Sequence, residues 1–317
     1  MKPSQMLAYL GRMTVIASVS PTSAPAAAVR AGKNPLVLAL LLGPSLIFLA
    51  AFAYWPVLLV LVQSFSLSQL GEHGFGLGNY ARLLSDQHFG IAILNNIIYA
   101  VGTIVPSLVL ALAFALALQN NKKVTAVLRT LIVMPLFIPL VAAAALFSFI
   151  YLPGGGLIDF YLAKLGIGQT NWLGSPSTAL PAVIVVTIWK NTGYYMLFFL
   201  AGLAAIPTDL LDAAKMDGAT ALGRLRHIIL PLLGPTFAFV LPIALLNALT
   251  QIDHVVTMWP GGPSDDANLL LYYIYQQAVQ NNDSGLGAAA TVVGVGGLLA
   301  LTTLARQALD RSIHYES

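Results

Sequence analysis

Cysteine is absent from all 317 residues, which excludes disulfides and thiolate metal sites and leaves the cellular compartment open. The five histidines, His73, His88, His227, His254 and His314, show no metal-ligand spacing, so no zinc centre is expected. No Gly-x-x-x-x-Gly-Lys-Ser/Thr phosphate loop occurs, so the chain is not expected to bind ATP in that manner. No internal repeat is visible. Charge is the scarcest property. Asp, Glu, Lys and Arg make up 9% of the chain, against about a quarter in ordinary soluble domains.

What fills the space is apolar: 58% of residues are hydrophobic. Six segments are long enough to cross a bilayer core, which takes about 20 apolar residues. They are Leu36–Val62, Ile91–Leu118, Thr130–Leu152, Thr178–Ile206, Leu232–Thr257 and Gly285–Ala305. In hydrocarbon every backbone N–H and C=O must be satisfied internally, so the segments are helices. The expected fold class is an all-α integral membrane protein with six transmembrane helices. Pro106, Pro135, Pro139 and Pro242 fall inside the spans and predict kinks. Trp55, Trp172, Trp189 and Trp259 read as packing or interfacial residues rather than ligands.

Three regions follow: a cytoplasmic N-terminal tail over 1–34, the membrane domain over 35–311, and a short C-terminal tail over 312–317. Ser20-Pro-Thr-Ser-Ala-Pro-Ala-Ala-Ala in the first tail is low-complexity and reads as disordered. A cleavable signal peptide is disfavoured, because Arg12 interrupts the preceding apolar run. Placing the N-terminus inside puts Lys2, Arg12, Arg30, Lys33, Lys122, Lys123, Arg129, Lys215, Arg224, Arg226, Arg306 and Arg311 in cytoplasmic segments. Arg82 and Lys164 alone fall in external loops, which carry Glu72, Asp86, Asp159, Asp265, Asp266 and Asp283. The positive-inside rule therefore places both termini in the cytoplasm. The net charge of +3 is this bias and implies no nucleic acid.

The most polar interruption is the stretch over 207–231, between the fourth and fifth spans. Pro207 closes the fourth span, and Asp209 and Asp212 place carboxylates where they favour the dipole of a short helix. Gly218 suits a turn that needs positive φ. Beyond it, Ala221, Leu222, Leu225, Ile228 and Ile229 fall on one helical face, with Arg224, Arg226 and His227 on the other. Amphipathicity alone fits either a connector lying on lipid headgroups or a docking element.

The residues decide between these by resemblance. Asp212-Ala-Ala-Lys-Met-Asp217-Gly218-Ala219, with Leu230-Pro231 at the expected distance, resembles the EAA loop of permease subunits from bacterial ATP-binding-cassette (ABC) importers. Asp212 stands where the family has Glu. Gly78-Asn79-Tyr80, Leu200-Ala-Gly-Leu203 with Ile206-Pro207, and Gly261-Gly262-Pro263 followed by Leu271, Tyr273, Tyr275 and Ala278 are similar to the carbohydrate branch, which includes maltose and glycerol-3-phosphate importers. The resemblance implies a type I importer bundle in the bacterial inner membrane. It implies that Asp212, Ala213, Ala214, Asp217, Gly218 and Ala219 form a coupling helix seated on an ATPase. It further implies a second permease, two ATPase subunits that bind ATP and Mg, and an external solute-binding protein. No cofactor is expected on this chain itself, which is not read as an enzyme.

Two spans also carry polar stripes at helical spacing. Thr187, Lys190, Asn191 and Tyr194 lie in the fourth, and Asn247, Thr250, Gln251 and His254, with Asp253 beside them, in the fifth. Intramembrane polar residues usually face a bundle interior or a water-filled path. Lys190, Asn191, Tyr194, Asn247, Gln251, Asp253 and His254 are therefore the candidate solute path. The bland alternative is helix-to-helix bonding, with Lys190 neutralising Asp253. A secondary carrier working without an ATPase is the rival function, but such carriers usually show paired repeats and broken helices. A membrane scaffold would leave the stripes unexplained.

Overall fold

The computed structural model describes residues 35–67, 74–120, 122–258 and 268–310. The expectations for both tails, for Glu72 and His73, for Trp259, for the Gly261-Gly262-Pro263 turn, and for Asp265 and Asp266 lie outside them. The chain divides into compact units at Val57 and Leu58. Helix α1 (Pro35–Leu49) passes through a π turn, Ala50–Tyr54, into α2 (Trp55–Ser64). In the first unit Phe48 and Phe52 stack with ring centroids 4.5 Å apart.

Beyond α2 come α3 (Gly78–Ser85), α4 (Gln87–Leu118) and α5 (Lys123–Val133). A 3-10 turn, Met134–Phe137, precedes α6 (Leu140–Ile150), and then α7 (Leu157–Lys164) and α8 (Pro176–Ala204) follow. After α9 (Thr208–Met216) and α10 (Ala221–Arg224), a π turn, Leu225–Ile229, leads to α11 (Leu230–Leu232). The remainder is α12 (Gly234–Thr250), α13 (Asp253–Met258), α14 (Leu270–Tyr275), a π turn, Gln276–Gln280, and α15 (Ser284–Asp310). The described residues contain no β-strand, only an isolated bridge between Ser66 and Phe75.

Among the described residues, five helices are long and apolar enough to span a membrane: Leu38–Ser64, Gln87–Leu118, Pro176–Ala204, Gly234–Met258 and Ser284–Leu304. The third predicted span, expected as one helix, is instead bent by 99° between Lys123–Phe137 and Leu140–Ile150. The cause is local. Pro139 lacks the N–H that would bond the Pro135 carbonyl, and it pushes Ile138 to extended φ −79°, ψ 125°. Pro106 and Pro242, by contrast, sit inside helices that continue through them. Two π turns share a sequence rule. Trp55 and Leu230 each bond the carbonyl five residues back, and each is followed by proline, Pro56 or Pro231. The widened turn relieves the clash between a proline ring and the carbonyl four residues earlier.

In the larger unit α4 packs principally on α8. Small residues make this approach close: Ala111 and Ala115 are fully buried, and a Cβ on Gly102 would stand 2.9 Å from Ile184 Cδ1. Tyr99, Val183, Met196 and Phe199 fill the seam. On the opposite side of α4, Val101, Val105 and Val109 recur at helical spacing and are exposed, the pattern of a lipid-facing stripe. A second cluster joins Leu83, Phe89, Tyr273, Leu286 and Ala290 across α3, α4, α14 and α15. Two polar links reinforce it, with Arg82 paired to Asp283 at 2.6 Å and the Tyr273 hydroxyl donating to Asp86.

Candidate functional site

The polar loop is built as helix, left-handed turn and helix. At the end of α9 the Gly218 N–H donates to the Lys215 carbonyl (3.1 Å) and the Ala219 N–H to the Ala214 carbonyl (2.9 Å). This pair of bonds is a Schellman cap, and it requires the φ of +78° that Gly218 adopts. Thr220 then caps α10 by accepting from the Gly223 N–H at 3.1 Å. Asp212, Ala213, Asp217 and Gly218 are exposed around the turn, and Ala219 is half-buried. Ala214 is 8% exposed and faces inward, so it supports the turn rather than presenting a surface. Asp212 pairs with Lys215 at 2.7 Å, both side chains well exposed. Such a pair contributes about 0.2–1 kcal/mol, so a basic partner group can displace Lys215 with little loss.

Two apolar residues stand out here, Leu222 among them although its helical spacing put it on the apolar face. Met216 is 88% exposed and Leu222 is 73% exposed, one on each side of Gly218. The expected amphipathic face from Ala221 to Ile229 is corrected by the π turn. Changing the residues per turn at Leu225 swings Leu222 outward, while Leu225, Ile228 and Ile229 stay half-buried. Behind the turn lies a cleft of about 660 Å³, walled by Leu116, Asn120, Ile206, Leu211 and Leu225. Its rim is fixed by Arg129, which donates to the Leu118 and Asn120 carbonyls, and by Arg224, which donates to the Ala219 carbonyl at 2.8 Å.

The polar residues within the spans meet where α4, α8, α12 and α13 converge. Tyr99 lies at the centre: its hydroxyl is 2.8 Å from Thr187 Oγ1 and 2.9 Å from His254 Nε2. His254 is fully buried, and its Nδ1 has no partner among the described residues. Asn247 donates to the Tyr195 hydroxyl at 3.3 Å. Thr103, Ser107, Thr187, Asn191 and Tyr195, with Ile104, Ala244 and Ala248, line a small pocket of about 10 Å³, room for one water at most.

The expected stripe on the fifth span is split, because the helix is interrupted at Gln251, whose backbone is extended at φ −85°, ψ 110°. Gln251 Oε1 is buried without a partner among the described residues, and Asp253 is exposed. Lys190 does not pair with Asp253. Its ammonium donates to the carbonyls of Pro135, Leu136 and Ile138. Tyr194 packs edge-on against Phe198, and it is Tyr195 that reaches the small pocket. Tyr99, Thr103 and Ser107 were missed, although their own spacing of four residues on the second span carried the signal.

Residues 107–315 match the family described as binding-protein-dependent transport system inner membrane component. The chain belongs to that family. Among its relatives, the sn-glycerol-3-phosphate transport system permease protein UgpA of Agrobacterium fabrum (strain C58) is 32% identical over 288 residues, covering 89% of this permease and 97% of the relative. The trehalose/maltose transport system permease protein MalF of Thermococcus litoralis is 33% identical over 221 residues, covering 69% and 74%. In fold, the permease is similar to a bacterial ABC transporter involved in the import of the acidic polysaccharide alginate, with a TM-score of 0.79 at 24% identity, covering 88% of this chain and 96% of that one. A bacterial alginate ABC transporter in complex with alginate pentasaccharide-bound periplasmic protein gives a TM-score of 0.77 at 23% identity, covering 86% of this chain and 93% of that one. The resemblance to carbohydrate-type importer permeases is borne out, and the permease is a multi-pass inner-membrane transport component rather than an enzyme.

Strings that carried the resemblance have structural work in the permease. Asn79 donates to the Ser64 and Ser66 carbonyls (3.2 and 2.8 Å), and Tyr80 donates to Ser64 Oγ (2.9 Å), tying α3 to the end of the first span. Between α6 and α8, the buried Asp159 carboxylate accepts from the Gly154 N–H, the Trp172 Nε1–H and the Thr170 N–H. These donors, that of Gly154 foremost, hold its pKa below the usual carboxylate value. A lowered native pKa contributes stability that is present above the ordinary pKa of 3.8 and is lost as pH falls through the lowered value. Acidification through that window is therefore expected to release the loop and red-shift Trp172 emission. Asp159→Asn is expected to show the same shift at neutral pH, and unchanged emission in both experiments would refute the clasp.

Proposed function

We propose that the permease forms half of the translocation path of an ABC importer for a sugar, polyol or glycerol-3-phosphate-like solute. In this reading the exposed turn formed by Asp212, Ala213, Asp217 and Gly218, flanked by Met216 and Leu222, seats in a partner ATPase. That single observation carries the reading: a rigid, left-handed cap presenting methionine, leucine and carboxylates to water has no use in a protein that works alone. A second permease completes the path, two ATPase subunits hold ATP and Mg, and an external solute-binding protein delivers the solute. Both termini then lie in the cytoplasm, on the side of the coupling turn. The names of the relatives, glycerol 3-phosphate in one and trehalose/maltose in another, support the solute class.

The solute path runs beside the Tyr99 cluster, with Asn191, Asn247, Gln251 and His254 supplying hydrogen-bonding groups as the small pocket opens. Tyr194 and Asp253 stand at its edges. The reading is tested by purifying the tagged chain from its native membrane in mild detergent and identifying stoichiometric partners by mass spectrometry. One ATPase and one second permease are expected. Recovery of the chain alone, after crosslinking has excluded labile association, would replace the importer with a carrier.

A further inference from the structure

The cation in the middle of the fourth span has its partners in the broken third span. Lys190 is 8% exposed, and its Nζ lies 2.5 Å from the Ile138 carbonyl and 3.4 Å from those of Pro135 and Leu136. These carbonyls sit where the 99° bend ends the helical ladder. Pro139 has no N–H to return to Pro135, and the end of the half-helix carries its negative dipole. An ammonium among three such oxygens is the arrangement by which unwound carbonyls and half-helix C-termini hold monovalent cations in membranes. The ion pairs formed among the described residues, Arg82–Asp283 and Lys215–Asp212, do not involve Lys190. A second, independent contact seats the same face of α8. Gly193 lies one turn beyond Lys190, and a Cβ there would stand 2.1 Å from the Ile132 carbonyl oxygen.

We propose that the carbonyls of Pro135, Leu136 and Ile138 form a monovalent-cation site permanently filled by the Lys190 ammonium. The bend of the third span is thus held by a tethered cation from the fourth, and Lys190 positions the path without touching solute. Removing the side chain leaves a vacant site that takes a small alkylammonium ion from solution. The inference stands apart from the identity of the solute and of the partner subunits.

The chain has no cysteine, so paired nitroxide labels can be introduced without background. Val127 on α5 and Phe149 on α6 are exposed on the two arms of the bend. Val127→Cys with Phe149→Cys in the full-length chain, in lipid nanodiscs, reports the bend as a distance distribution by pulsed electron paramagnetic resonance. With Lys190 present a narrow distribution is expected. Lys190→Ala is expected to lose it, and n-propylammonium, which replaces the deleted atoms from Cγ to Nζ, is expected to restore it. The neutral n-propanol is expected to restore nothing.

A Lys190→Ala distribution that matches the parent, or equal rescue by n-propanol, would overturn the proposal. Lys190→Gln covers the case in which the alanine variant does not accumulate, since it keeps two N–H donors and loses the charge. A broadened distribution for Lys190→Gln supports the cation site, and one equal to the parent refutes it.

Discussion

Gly218→Val is expected to leave the permease inserted and assembled while abolishing transport, with ATP hydrolysis no longer coupled to solute movement. Backbone conformation alone produces this effect. Gly218 holds φ +78°, and a Cβ built there meets nothing within 4 Å, so steric crowding by neighbours plays no part. A left-handed L-residue costs about 1–2 kcal/mol, and β-branching makes valine a poor occupant of that region. A penalty of one or two kcal/mol reduces the native turn by roughly 5–30-fold relative to competing conformations. The Schellman bonds to Lys215 and Ala214 then compete with unwinding of the last turn of α9, and the Asp212–Met216 surface loses its fixed orientation. Gly218→Asn, which tolerates the left-handed region, is expected to retain most activity, with Gly218→Ala between the two. Uptake and binding-protein-stimulated ATP hydrolysis, measured on the reconstituted complex, separate coupling from assembly. Wild-type uptake by the valine variant would sink the coupling role.

Gly193→Ala is expected to be the most damaging single-methyl substitution within the spans. The added Cβ would lie 2.1 Å from the Ile132 oxygen, 2.8 Å from its carbonyl carbon and 2.9 Å from Val133 Cα. All three are backbone atoms of a helix end and have no rotamer by which to withdraw. Overpacking of this kind typically costs about 1–3 kcal/mol. Gly202→Ala is the matched control. There the close contacts are the side chains of Thr236, at 2.3 Å, and Leu233, at 2.9 Å, which can rotate aside. Thermal unfolding of the purified chain in detergent should therefore rank parent, Gly202→Ala and Gly193→Ala in falling order. Equal melting of the two variants would show that the approach of α8 to the bend is less tight than its geometry implies.

These expectations differ in how far they were readable from residues alone. Membrane class and five spans follow from composition and run length, because burying backbone in lipid leaves only helices as a solution. The turn at Gly218 was equally local. A helix end, a glycine and the bonds that close it lie within six residues, from Ala214 to Ala219. Pro135 and Pro139 announced a kink in the third span, since a missing N–H is a property of the residue itself.

What tertiary structure alone decided is everything that depends on a residue far along the chain. Lys190 stood out on the polar stripe of the fourth span, but its partners lie 52 to 55 residues earlier and are backbone carbonyls, which no side-chain pattern advertises. The choice of Tyr195 over Tyr194 for the small pocket depends on where Asn247 stands across the helix interface. The stripe on the fifth span assumed an unbroken helix, and the extended backbone at Gln251 removed the periodicity on which that alignment rested. Met216 and Leu222 read as ordinary apolar residues until the left-handed turn and the π turn directed them outward. Hydrophobic period and turn chemistry are local and survive in a one-dimensional reading. The pairing of a buried charge is set by which backbone oxygens the bend brings within its reach, and it exists only once the helices have met.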